Sequence, residues 1–191
     1  MPASQPVAKG MQPILDTYRK DPKYGSGHGY GRQTAAGWTG LRIANPTSVI
    51  IHATHGRAGS RSAAEAAFLR DSPDVSAHYL VGRLGEVYRI LPDTFVAWHA
   101  GECLPAFTNP HSIGIELHAA VTEPITGAQK QALAGLLRQL VAQWHIPAPL
   151  IDSHRAVALP PGRKSDPATW PQAELRAWID GALTCDAPPP A

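Results

Sequence analysis

The chain has 191 residues, 43% of them hydrophobic and 17% charged, with 17 basic against 15 acidic side chains for a formal net charge of +2. That length suits one domain with a real core and leaves little for a second, and so even a balance of charge excludes nucleic acid as an expected partner. No apolar run reaches the roughly 18 residues of a membrane span, and the opening "MPASQPVAKG" lacks the basic start and apolar stretch of a secretory signal.

In chain order, residues 1–46 come first, rich in Gly, Pro and small polar residues as in "KYGSGHGYGRQTAAGWTG". They read as an arm laid over the domain with little regular structure, which Tyr24, Tyr30 and Trp38 keep from complete disorder. "SVIIHAT" (48–54) is a β-branched run, hence a buried strand. "SAAEAAFLR" (62–70) has helical propensity, and Ser62 with Glu65 has the spacing of a capping box. "HYLVGRLGEVYRIL" (78–91) reads as two strands joined by a turn at Gly85, and "SIGIELHA" (112–119) as another strand. A helix starts after Thr126, with Gln129 completing a capping box and Leu133, Leu136, Leu137, Leu140, Val141 and Trp144 forming its apolar face. "PLIDSH" (149–154) is the last predicted strand, followed by a helix over 171–183 that buries Leu175, Trp178 and Ile179. The expectation is an α/β fold, a single domain with a central mixed β-sheet flanked by helices. Its divisions are a Gly/Pro-rich arm (1–46), the folded domain (47–184) and a flexible tail (185–191).

Nine histidines stand out, several inside apolar, strand-like sequence where an imidazole needs a partner. His52, Glu116 and His154 fall where strands meet loops, and Lys164 and Asp166 follow in "HRAVALPPGRKSDP". A catalytic zinc takes three ligands from His, Asp, Glu or Cys and keeps one position open. His52, His154 and Asp166 would supply that set. Glu116 would then move protons, and Lys164 would stabilise an oxyanion. Pro160 and Pro161 would stiffen the loop between two ligands. The spacing alone is weak support, because no His-x-x-x-His or Cys-x-x-Cys pair is present.

Five stretches, in order, sharpen this: "SVIIHAT", "SAHYLVGRLGEVYRIL", "AWHAG", "NPHSIGIELH" and "DSHRAVALPPGRKSDP", spanning residues 48 to 167. Together they resemble the zinc-dependent N-acetylmuramoyl-L-alanine amidases, the type-2 amidases that include peptidoglycan recognition proteins. The resemblance implies one Zn2+ per chain on His52, His154 and Asp166, with Glu116 as acid-base group and Lys164 beside the oxyanion. It also implies hydrolysis of the amide between N-acetylmuramic acid and the L-alanine of the stem peptide, with peptidoglycan or muropeptides as partners and a monomer as the expected state. A muropeptide-binding module without catalysis is the rival reading; such modules lack one or more ligands, and all three are filled here.

Three departures from the family pattern matter. The His154–Asp166 interval is slightly longer, through "AVALPP". Ala77 stands where phage-type members carry a catalytic tyrosine, which points to Glu116. Asp166 replaces the cysteine of animal and phage relatives, so Cys103 and Cys185 are not expected as ligands; whether they pair is left open by their spacing. His78, His99 and Asn109 are candidate substrate contacts. Their alternatives are burial with hydrogen bonds for the two histidines and loop shaping for Asn109. Bland readings also stand for the others: His52 as a core histidine, Glu116 as an edge carboxylate, Lys164 as a solvated charge, Trp98 as core. His55, His111 and His118 are read as surface or supporting positions.

Overall fold

The structure is a computed structural model, and it describes residues 13–16, 42–56, 59–71 and 75–184. Its centre is "SVIIHA", strand β2 (Ser48–Ala53), in which every residue is buried. A strand so apolar throughout belongs between parallel neighbours with both faces covered. β5 (Ser112–Leu117) and β6 (Ile151–Ser153) run parallel to it on either side. β3 (Tyr79–Val81) adds in parallel to β5, and β4 (Val87–Arg89) returns antiparallel through a turn where Gly85 sits at φ +88°. The short edge strand β1 (Leu15–Asp16) lies parallel to β4, giving a mixed sheet of order β1-β4-β3-β5-β2-β6.

Alternation along the strands splits the sheet into two faces. Val49, Ile51, Ile113, Ile115, Tyr79 and Val81 point to one side, where they meet Leu133, Leu136, Leu137 and Leu140 of α2 (Gly127–Trp144) and Leu175 and Ile179 of α4 (Gln172–Thr184). Burying each such side chain stabilises the fold by about 1.5–3 kcal/mol. The register pairs Ile50 with Gly114 and His52 with Glu116 on the opposite side. Among the described residues, that side is covered only in part. The helix α1 (Ser62–Asp71) packs Ala66 and Leu69 against Leu80, Tyr88 and Ile90, and Phe107, Cys103 and Val157 close over Ile50.

The Thr126–Gln129 capping box forms as expected, with both reciprocal hydrogen bonds present. Gln129 also donates to the carbonyls of Val81 and His118, which ties the helix start to the sheet. The Ser62–Glu65 box does not form. The Ser62 hydroxyl is 2.8 Å from Nδ1 of the buried His118 and accepts from the Arg83 N–H, while the Glu65 N–H donates to the Arg61 carbonyl. "PLIDSH" is a strand only over Ile151–Ser153. Residues 148–150 form a 3₁₀ turn containing Pro149, and His154 opens a one-turn helix, α3 (His154–Val157), capped by the Ser153 side chain. Most of the predicted arm, with Tyr24, Tyr30 and Trp38, lies outside the described residues, as does the tail with Cys185. Cys103 is buried with a free thiol.

Candidate metal centre and its cleft

The carboxyl ends of β2, β5 and β6 are where the parallel strands deliver side chains to one place, the usual position for a site in an α/β sheet. His52 comes from β2, Glu116 lies beside it on β5, and His154 follows β6 directly. Asp166 is carried in by the loop after α3, whose return is fixed by hydrogen bonds. The Arg155 N–H donates to the Asp166 carbonyl, and its guanidinium donates to the carbonyls of Pro167 and Trp170.

Nδ1 of His52, Nδ1 of His154 and Oδ2 of Asp166 converge, at 3.0, 3.2 and 3.1 Å from one another. All three residues are buried. Donor atoms sharing one small tetrahedral cation at 2.0–2.1 Å lie about 3.3 Å apart, close to this spacing. The proton inventory agrees. His154 Nε2 is 3.0 Å from the Ala100 carbonyl, which only accepts, so Nε2 carries a hydrogen and Nδ1 of the neutral ring is the nitrogen left to offer a lone pair. Burial pushes His52 down to about 4, so its ring is neutral. Burial opposes the Asp166 charge, yet its contacts with His154 and His52 outweigh it and hold the carboxyl well below the ordinary range. A carboxylate and two imidazoles meeting at one point form a donor set that fits a divalent cation.

Around this centre opens a cleft of about 240 Å³ lined by His52, His99, Glu116, His154, Lys164 and Asp166, with Glu65, Phe68 and Trp98 among its walls. Glu116 is half-buried, and its Oε2 is shielded from water with no hydrogen-bond partner among the described residues. Burial, then the neighbouring Asp166 and Glu65, raise its carboxyl to about 8 against the opposing charge of Lys164. Lys164 is exposed and lines the cleft, whereas Arg163 turns back to hold the loop through the carbonyls of Leu159, Ala100 and Glu102. The adjacent cations thus divide between loop and cleft.

Two of the candidate substrate contacts are engaged in hydrogen bonds within the protein. His78 is fully buried, accepting from the Gly114 N–H on Nδ1, with Nε2 beside Arg42 and the Phe95 carbonyl, and it is not part of the cleft wall. Asn109 accepts on Oδ1 from the N–H groups of His99 and Ala100, which shapes the loop. His99 does reach the cleft, but its Nδ1 lies 3.0 Å from His52 Nε2. Trp98 is half-buried in the cleft wall, not in the core. Sequence reading missed Glu65 and Phe68 as wall residues; helical spacing would have put both on one side of α1, but nothing in it says what that side faces.

A family model described as N-acetylmuramoyl-L-alanine amidase matches residues 42–169. The chain belongs to this amidase family. It is 39% identical over 120 residues to the 1,6-anhydro-N-acetylmuramyl-L-alanine amidase AmpD of Salmonella typhimurium strain SL1344, a match covering 57% of this chain and 58% of that protein. The chain therefore spans little more than half the length of this curated relative. A crystal structure of a selenomethionine derivative of AmpD superposes with a TM-score of 0.60 at 28% identity, over 71% of this chain and 85% of that one. The amidase AmiD from Escherichia coli, in complex with anhydro-N-acetylmuramic acid-L-Ala-D-γ-Glu-L-Lys, does so with a TM-score of 0.57 at 28% identity, over 77% of this chain and 60% of that one. Among the described residues, no helix of this family member is long and apolar enough to cross a membrane.

Proposed function

We propose that this protein is a zinc-dependent N-acetylmuramoyl-L-alanine amidase, cleaving the amide between the muramic acid lactyl group and the L-alanine of the stem peptide. The observation that carries the reading is the convergence of His52 Nδ1, His154 Nδ1 and Asp166 Oδ2 within a cleft that also holds Glu116 and Lys164. His52, His154 and Asp166 would hold the zinc; two nitrogens and one oxygen suit this borderline ion and leave a position open. Zinc bound there supplies Lewis acidity toward the amide carbonyl and an attacking water.

The remaining work falls to the protein's own side chains. Glu116, whose Oε2 has no hydrogen-bond partner among the described residues, takes in its ionised form the proton of the attacking water and returns it to the leaving amine nitrogen of L-alanine. Lys164 lines the cleft, and its ammonium group would stabilise the negative charge that builds on the carbonyl oxygen. The relatives' names and the AmiD complex make soluble 1,6-anhydro-muropeptides the first substrate to offer, with intact peptidoglycan as its counterpart. The test incubates the protein with each, with and without a chelator, and reads products by mass spectrometry. Free stem peptides beginning at L-alanine, lost on chelation and restored by zinc, are expected. A zinc-loaded protein that binds muropeptides and cleaves neither would make it a binding module.

A further inference from the structure

The two histidines of the metal centre are held from behind by one short segment. His154 Nε2–H donates to the Ala100 carbonyl at 3.0 Å, and His52 Nε2 lies 3.0 Å from His99 Nδ1. Residues 99 and 100 are themselves fixed from one point. The N–H of each donates to Asn109 Oδ1, at 3.1 and 2.9 Å, and Arg163 donates to the Ala100 carbonyl at 3.2 Å. Two donors aimed at one amide atom require that atom to be the oxygen, which settles the orientation of Asn109.

The direction of the His52–His99 hydrogen bond follows from the proposed metal. A neutral imidazole bound through Nδ1 carries its hydrogen on Nε2, and His52 Nε2 faces His99 Nδ1. His99 must then accept on Nδ1 and carry its own hydrogen on Nε2, which lies 3.3 Å from Ser112 Oγ. The Ser112 hydroxyl can receive it, because its own hydrogen goes to the carbonyls of Phe107 and Thr108 at 2.9 and 3.0 Å. Every donor in this chain has an acceptor, with no group used twice in conflict.

Packing holds the same ring in place. A Cβ on Gly114 would lie 2.5 Å from His99 Cγ and 2.7 Å from its Nδ1, so the imidazole lies flat on a strand position that only glycine leaves open. His78 packs edge-on against it, with ring centroids 5.7 Å apart. His99 has little freedom to turn its Nδ1 away from His52.

We infer that His99 is a positioning residue for the metal, setting the proton and ring orientation of His52 while Ala100 does so for His154, with Asn109 clamping both. The inference rests on the zinc reading above. Outer partners of metal-bound histidines are commonly worth about 10–100-fold in metal affinity.

The test measures zinc affinity by competition with a chromogenic chelator, beside the thermal midpoint of the metal-free protein. His99→Leu, which removes the acceptor, should weaken zinc by about 10–100-fold, and His99→Gln, which keeps an acceptor, should recover most of it. Asn109→Leu should weaken zinc in the same direction and Asn109→Asp should not, since a carboxylate still accepts both N–H groups. Wild-type zinc affinity in His99→Leu, or a loss of affinity matched by unfolding of the metal-free protein in both His99 variants, overturns the inference alone. A wild-type protein that takes up no zinc overturns the proposed function and this inference with it.

Discussion

The two faces of the central sheet carry the same strands and opposite economies. On the face toward α2 and α4, Val49, Ile51, Ile113 and Ile115 meet leucines, and the side chains there serve packing. One residue further along the same strands, the side chains are His52 and Glu116, with a carboxyl oxygen shielded from water and unpartnered among the described residues. A buried acid without a partner costs stability, and the protein carries that cost where chemistry needs it. Stability is concentrated on one face, and reactive groups are concentrated on the other.

That division can be broken by experiment, and Glu116→Gln is the strongest attempt. The variant keeps the volume and removes the acid, so kcat should fall by about 10²–10⁴ while zinc stays bound. Its melting temperature should stay level or rise, because an uncomfortable buried carboxyl is gone; thermal scans beside steady-state kinetics decide it, and a stable, fully active variant would end the assignment. Leu136→Ala probes the opposite face. It should cost about 2–5 kcal/mol in urea unfolding, with kcat per folded molecule unchanged; a folded but inactive variant would show that the faces are coupled.

The packed face also has a titrating group. Burial, reinforced by the charge of Asp93, raises the Tyr79 phenol well above its ordinary value. In the unfolded chain a tyrosine ionises near pH 10. The native state keeps its proton, so this contribution is complete below about pH 10 and is lost as pH rises beyond it, by about 1.4 kcal/mol per unit. Unfolding curves should weaken there, and Tyr79→Phe should be flatter in pH although it forfeits the 2.6 Å hydrogen bond to Asp93. The smallest effect expected is from Thr126→Ala, about 1 kcal/mol from the lost cap, again without effect on kcat.

Much of this was legible in advance because periodicity is a local property. The run "SVIIHAT" announces a strand buried on both sides, and the Thr126–Gln129 spacing announces a helix start that the structure reproduces in both hydrogen bonds. The same spacing at Ser62–Glu65 misled: the serine hydroxyl lies against a distant histidine, His118. His78 and His99 looked alike as histidines near apolar sequence. They differ because Arg42 and the Phe95 carbonyl close over one ring, while the other stands at the cleft. Asn109 carried no sign of its clamp, since both its partners are backbone N–H groups, and every residue but proline has one.

By itself, the sequence determined the strands, the helices and the donor types, because side-chain chemistry and short-range spacing are written residue by residue. The family resemblance in its motifs pointed to the three ligand positions. Tertiary structure alone decided that Nδ1 of both histidines, and not Nε2, turns toward Asp166, and that the Ala100 carbonyl and His99 stand behind them. The reason is physical: parallel register and a folded-back loop bring together atoms up to 114 residues apart in the chain, and which nitrogen faces which atom depends on that packing.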